Sequence, residues 1–450
     1  MVRKSYVSTM FLSLFLGLLF IFFAMISLQS VMASSEDITN HADVVIQTEN
    51  GEVIIRRITF THKVISGLEA LMLTNLDIIT SQTDFGTLVC SIEATGCPAD
   101  DCFCSSSFWN YLYLQDETWN AYDVGADSST VGNNHVQGWA WGEWGITPPN
   151  ITTETLAARA GLQWLKSWQH DDGSINGQFG SSVDALLAIG AMNDDLSNWT
   201  STAGNTILDY VKNSARENLD TSGNIGKLAM AVASVHADPR NFAGLDLVIS
   251  MTAHLDTTTY VYGSTNWDQA LSILGLKASG EIIPITTSQV LIDRINDDGG
   301  WGWMAEIGSD TNSTAIVLQA LVSSRQSVTA TAIISGLAYI ESARNADGGF
   351  SYVPDSSSEV NSTAYVVQGL LATGQYPLQV NDTWAMTNPI SFLLNQQESD
   401  GGFIYVQPPA NLLATMQAIP ALTGKPFPIL NKSVATRGGS SFWRKIYFYQ

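Results

Sequence analysis

The sequence predicts a mainly α protein: a six-hairpin α/α toroid preceded by a small α+β domain. Three observations carry this expectation. A helix–turn–helix unit with an Asp-Gly-aromatic turn recurs through residues 151–428, alternation of apolar and polar residues is confined to the stretch before residue 148, and all four cysteines fall in that same N-terminal part. Each helical pair of such an array buries its apolar face only against its neighbours. Six pairs suffice to close a ring of alternating inner and outer helices.

Residues 1–33 are set apart from the fold. Arg3 and Lys4 precede a charge-free apolar run from Met10 to Leu28, and Val31-Met32-Ala33 resembles a small-residue cleavage site. This is the layout of a signal peptide, and about 19 apolar residues also suffice for an uncleaved N-terminal anchor. No second such run follows, so the rest is expected outside the cytoplasm, touching a membrane only through this segment. Residues 34–43 read as a polar linker.

The small domain is expected over 44–147. Val44–Gln47 and Val53–Phe60 read as strands joined by Asn50-Gly51, a hairpin turn signal. Ser66, with Glu69 three residues on, reads as the N-cap of a helix. Phe108–Leu114 and Gly138–Gly145 alternate as half-buried strands, and Pro148-Pro149 closes the domain. Cys90, Cys97, Cys102 and Cys104 imply disulfides in an oxidising compartment, of unassigned pairing but with Cys102 and Cys104 too close to pair with each other; the competing reading, a zinc knuckle, usually shows two C-x-x-C pairs, which this spacing does not.

From residue 151 the units are GLQWLKSWQHDDGS, LIDRINDDGGWGW, GLAYIESARNADGGFSY and ISFLLNQQESDGGFIY, with degenerate copies turning near Ser222-Gly223 and Tyr262-Gly263. Units of roughly 36–53 residues mark a helical array. Glycine ends one helix in the left-handed conformation and the aromatic wedges between hairpins. Residues 429–450 form a basic, aromatic tail.

The net charge of −22 argues against nucleic acid as a partner. The six histidines show no metal or relay spacing, although the His236 imidazole is of a kind that binds metals well. No nucleophile elbow, Walker loop or His-Glu-x-x-His motif occurs, so no catalytic residue and no metal site is assigned. Asp171-Asp172 and Asp297-Asp298 read as turn carboxylates. Asn150, Asn198, Asn312, Asn361, Asn381 and Asn431 head glycosylation triplets, which fit export.

The units resemble the toroid of terpenoid cyclases, protein prenyltransferase β-subunits and the transcobalamin/intrinsic-factor proteins. Protonating cyclases carry Asp-x-Asp-Asp-Thr-Ala with a central acid. Here Asp310-Thr311-Asn312-Ser313-Thr314-Ala315 places an amide at that acid, and Glu359-Val360-Asn361-Ser362-Thr363-Ala364 repeats it. An amide has no proton to donate at a useful pKa. Prenyltransferases need a zinc held by Asp, Cys and His, and residues 151–428 contain no cysteine. Inner helices of vitamin B12 carriers look like Ser313–Leu321 and Ser362–Leu370, and their small β-rich domain resembles Phe85–Ile92, Phe108–Tyr111, Val124–Ala126 and Val136–Trp139. The domain order here is reversed, and the cysteine cluster has no counterpart.

Aligning the inner helices puts Asp184, Asp268, Thr314 and Thr363 at one position, with Asn224, Asn266, Asn312 and Asn361 two residues earlier and Asn411 opening the sixth helix. These residues, with Trp301, Tyr352 and Trp109, are the candidate ligand contacts; capping the helices is their alternative role. The expected function is an exported carrier of a bulky small molecule, which the resemblance makes a corrinoid, held between the ring's mouth and the small domain. The alternatives are a cyclase-like enzyme with an unidentified acid and a surface scaffold or adhesion module.

Overall fold

The computed structural model describes residues 40–84, 86–115, 118–375 and 388–430. The leader, nearly all of the tail and the triplets at Asn381 and Asn431 lie outside the described residues. The expected linker is partly strand, because β1 (Asn40–Gln47) already begins at Asn40. β1 pairs antiparallel with β2 (Val53–Phe60) around the Asn-Gly turn, where Gly51 takes a φ of 81°. After β3 (Val64–Ile65) comes α1 (Gly67–Met72), capped by the Ser66 hydroxyl, which accepts from the Glu69 N–H at 3.1 Å.

A three-stranded sheet of β4 (Ile78–Thr83), β5 (Gly86–Ile92) and β6 (Thr95–Gly96) follows. The main sheet adds β7 (Phe108–Gln115), β8 (Thr118–Ala121) and, after the short β9 (Val131–Gly132), β10 (His135–Gly142). Its order is β2-β1-β10-β7-β8, with β1 and β10 parallel and the other pairs antiparallel. Cys90 pairs with Cys102 and Cys97 with Cys104, tying β5 to the loop before β7.

The ring alternates outer helices α2 (Thr153–Lys166), α4 (Ile207–Ser214), α6 (Leu247–Thr252), α8 (Ile285–Asp293), α10 (Thr331–Ser342) and α12 (Pro389–Asn395) with inner ones. The inner helices are α3 (Phe179–Met192), α5 (Ser222–Ser234), α7 (Asn266–Ala278), α9 (Thr311–Ser323), α11 (Val360–Ala372) and α13 (Leu412–Leu422). Each inner helix packs on the next, and α13 packs back on α3, which closes the circle. Ser222-Gly223 opens inner helix α5 and is not a turn. With 39% helix and 20% strand the chain as a whole is mixed, so "mainly α" holds for the ring alone.

One hydrogen-bond pattern explains the repeat. In five of the six inner helices, the fourth residue after the N-cap accepts a bond from the backbone N–H of the apolar residue in the preceding turn. Ile175 donates to Ser182 at 2.9 Å, Tyr262 to Gln269 at 2.8 Å, Trp301 to Thr314 at 3.0 Å, Phe350 to Thr363 at 2.9 Å and Phe403 to Thr415 at 2.8 Å. The first glycine of the regular turns takes φ of +86°, +84° and +98° at Gly299, Gly348 and Gly401, a region that favours glycine. The turn aspartates Asp298 and Asp347 accept from the second glycine's N–H and from a serine hydroxyl ahead of the inner helix.

The small domain seats on the outside of the ring. One face of its main sheet, with Val45, Ile55, Leu112, Trp119 and Ala140, packs with Ile151 and with Leu156 of α2. Gln163 donates to the Ile55 carbonyl at 2.9 Å, and Arg57 to the Gln397 side chain at 2.8 Å.

Candidate functional site

At the N-terminal end of the ring, positions two and six residues after the inner-helix N-caps carry the half-buried Asp184, Lys227, Trp267, Asn312 and Gln417 and the buried Asn361 and Tyr365. Residues four apart share a helix face. On α9 and α11, Asn312 donates its amide to Asn361 at 2.7 Å; Asn361 donates to Gln417 of α13, and Gln417 donates to the Tyr365 hydroxyl at 3.2 Å. Opposite, Lys227 of α5 pairs with Asp184 of α3 at 2.6 Å. Trp267 of α7 packs edge-on against Tyr365 with ring centroids 5.6 Å apart, and against Trp303 at 5.7 Å. Because α7 and α11 are separated in the circle by α9, the Trp267–Tyr365 contact is made inside the ring, in front of α9. Burial is the main cause that pushes the Tyr365 phenol far above its ordinary pKa, and the Asp184 charge adds to it.

The amide of Asn312 is incompletely satisfied. Its N–H is bonded to Asn361, while its buried Oδ1 has no donor among the described residues. An orphaned acceptor of this kind costs about 1–3 kcal/mol, which a ligand donor would recover.

Beside this axis stands Asp310, the N-cap of α9. Its carboxyl accepts from the Ser313 N–H and Ser313 hydroxyl, each at 2.7 Å, and Ser313 accepts in turn from the Trp267 indole at 2.8 Å. Burial raises the Asp310 pKa against the opposing pull of those bonds and of the Tyr352 hydroxyl. Tyr352 is itself pushed up to about 12 by burial and by the Asp310 charge.

The sequence candidates divide. Asp184, Asn312 and Asn361 come together at the axis, with the half-exposed Tyr352 close by on Asp310. Thr314 and Thr363 are occupied by the turn N–H groups. Trp301 is fully buried, and its indole donates to the Leu291 carbonyl at 2.7 Å. Asn266 is fully buried and donates to the Gly302 carbonyl, Asp268 forms a capping box with Thr265, Asn224 bonds Asp220, and Asn411 caps α13.

The aligned register needs correction. Counted from the N-caps Gln178, Thr265, Asp310 and Glu359, Asp184 is sixth, Asp268 third, and Thr314 and Thr363 fourth. The helix N-termini are also closed by protein: the first N–H of α7, α9 and α11 donates to the carbonyl of Trp303, Tyr352 and Tyr405 from the next turn. His236 lies past the C-terminal end of α5 on Asn193. Nine residues of helical rise put it about 13 Å along α5 from Lys227, the axis residue of that helix. Asn312 and Asn361 bond each other inside the ring, so their triplets are not glycan acceptors in the folded protein.

Sequence reasoning missed Lys227, Trp267, Tyr365 and Gln417. The only signal was a lone charge or aromatic in an apolar helix, as with Lys227 in NIGKLAMAVAS. It also missed the other end of the ring, where buried Gln319 and Gln368 hold the backbone of Phe427 and Lys425 at 2.7 and 3.0 Å.

The small domain does not complete the axis site. Trp109 points from the sheet face opposite the one that seats on α2. The crevice between the domains, about 590 Å³, is lined by Glu52, Arg56, Arg159, Lys166, Asp194 and Trp199, none of them on the axis. Among the described residues no cluster of His, Cys, Asp and Glu could hold a metal ion, and no helix is long and apolar enough to cross a membrane.

No family model matches the chain, and no curated protein does. Among solved structures, a type II terpene cyclase from Scytonema matches with 13% identity over 60% of this chain and 97% of its own, at a TM-score of 0.42. Candida albicans protein geranylgeranyltransferase-I matches with 13% identity over 59% and 90%, at 0.41, and ent-copalyl diphosphate synthase from Streptomyces platensis with 15% over 54% and 49%, at 0.37. At identities and TM-scores this low the likenesses transfer neither family nor activity. None of these three is a corrinoid carrier, so the expected kinship with vitamin B12 carriers finds no support among them.

Proposed function

We propose that this is a ligand-binding protein whose ring holds a bulky, amphipathic small molecule at the inner-helix N-terminal end. The ligand's donors face the amides of Asn312, Asn361 and Gln417, and its apolar part lies against Trp267, Trp303 and Tyr365. The observation that carries this reading is the orphaned oxygen of Asn312 at the end of an otherwise complete amide chain. Amides there recognise; they do not protonate. A corrinoid, whose rim carries carboxamide donors, remains one ligand of suitable chemistry. Export rests on the leader-like segment and the two disulfides.

Asp310 favours a second reading, a cyclase-like enzyme, because burial raises its pKa and the carboxyl holds its proton to a higher pH than an ordinary carboxylate. Calorimetric titration with cobalamin, cobinamide and a geranylgeranyl-bearing phenol, with mass spectrometry of the last mixture, separates the two. Saturable one-to-one binding that weakens about tenfold in Asn312→Ala supports the binding protein. A rearranged product that disappears in Asp310→Asn moves the assignment to an enzyme. Neither binding nor product with any of the three removes both.

A further inference from the structure

A second cleft, about 520 Å³, opens in the small domain, lined by Trp109, Tyr111, Trp139 and Trp141 from the sheet face turned away from the ring and bordered by Leu112 and Trp119 from the other face. Its wall is aromatic: Trp109 and Trp141 face each other across β7 and β10 with centroids 5.4 Å apart, and Tyr111 stacks with Tyr122 at 4.2 Å. Its rim is aromatic too. Trp144 is 81% exposed and Phe103 72% exposed. No Asp, Glu, Lys, Arg or His lines it, although the chain carries 42 acidic residues and a net charge of −22.

Within this wall two donors are left over. Trp109 and Trp139 are 8% and 3% exposed, and neither indole N–H has an acceptor among the described residues. Trp119, by contrast, donates to the Pro149 carbonyl at 3.2 Å. Buried indoles ordinarily find a partner. Two orphaned donors lining one uncharged aromatic cleft call for a ligand that brings acceptor oxygens and flat apolar faces, and no charge.

We infer that this cleft is a binding site for a neutral saccharide unit, separate from the axis of the ring. The C–H face of a hexose lies on the exposed rings of Trp144 and Phe103, and its ring or hydroxyl oxygens accept from the Trp109 and Trp139 indoles. Volume agrees, since clefts of about 300–1,000 Å³ take ligands of one to a few rings. The Cys90–Cys102 bridge anchors the loop that carries Phe103, which fixes that side of the rim.

The test is calorimetric titration of the whole protein with cellotriose, maltotriose and chitotriose, together with the Trp N–H resonances of indole-labelled protein. The expected result is saturable binding of at least one of the three, with two indole resonances moving together. Trp144→Ala, a change at an exposed position that leaves the fold intact, weakens binding about tenfold, and Trp109→Phe, which keeps an aromatic ring and removes the donor, weakens it about fivefold. Failure of all three sugars to bind overturns the inference. So does binding that both variants leave unchanged, and so does occupation of the cleft by a purely apolar probe such as a linear isoprenoid alcohol without competition from sugar. Asn312→Ala leaves sugar binding unchanged, which separates this site from the one on the ring axis.

Discussion

Two sets of polar residues sit on the same inner helices and do opposite work. The residues that recur, Ser182, Gln269, Thr314, Thr363 and Thr415, are all taken up by the turn N–H in front of them. The residues that differ from helix to helix, Asp184, Lys227, Trp267, Asn312, Tyr365 and Gln417, meet at the axis. Recurrence here marks scaffold, because every hairpin has the same turn to anchor. A shared cavity is asymmetric with respect to any one helix, so its lining need not repeat. Unit two shows the converse: Ile225 stands where the others have an acceptor, and its turn lacks the anchoring bond.

The strongest way to break the comparison is to attack the scaffold. Trp301 is fully buried and both of its N–H groups are bonded, so Trp301→Ala is expected to cost about 3–5 kcal/mol in chemical denaturation. Thr363→Val removes the acceptor of the Phe350 N–H within the core and is expected to cost about 2 kcal/mol, while Thr363→Ser restores most of it. Ligand affinity of the folded fraction should not move in either. A loss of binding at unchanged stability in Thr363→Val would make a recurring residue part of the site and sink the distinction.

How far the sequence went follows the same division. The ring was legible because its period, its Asp-Gly-Gly turns and its helix starts are local signals, and the strands at Val53–Phe60 and Phe108–Gln115 were legible from a hairpin turn signal and from alternation respectively. The axis was not, because facing inward depends on the rotation of each helix, and an error of one residue turns a side chain by about 100°. Aligning Asp184 with Thr314 made a two-residue error of this kind, since Gln178 caps α3 without a side-chain bond and carries no cap signature. The place of the small domain was also hidden: it depends on Ile55, Trp119 and Leu156 meeting across more than a hundred residues, which no local pattern encodes.

A smaller effect sharpens the other side of the comparison. The Lys227–Asp184 pair is partly buried, so Lys227→Met leaves a carboxylate without its partner at the axis. The expected loss is about 1 kcal/mol, and Asp184→Asn in the same background should recover most of it, a coupling readable in a double-mutant cycle. Ligand affinity should change in both single variants, because neither residue serves the turns. Coupling indistinguishable from zero would place the pair on solvent rather than at a working axis.

The smallest effect belongs to Asp310, which stands between the two sets as both cap and neighbour of the axis. Its folded pKa is raised, first of all by burial, above the ordinary value near 4. A raised folded pKa means that the protonated form is the one favoured by folding. Its contribution is therefore complete below the unfolded pKa, shrinks as pH rises through the folded pKa, and is absent above it. In Asp310→Asn the amide oxygen still caps α9 and no longer ionises, so stability measured from about pH 4 to pH 7 should lose that downward component. Because the other carboxylates are unchanged, the difference between the two profiles isolates this one group. A difference that is flat with pH would mean that the carboxyl titrates as though unburied, and Asp310 would then count with the recurring caps and not with the axis.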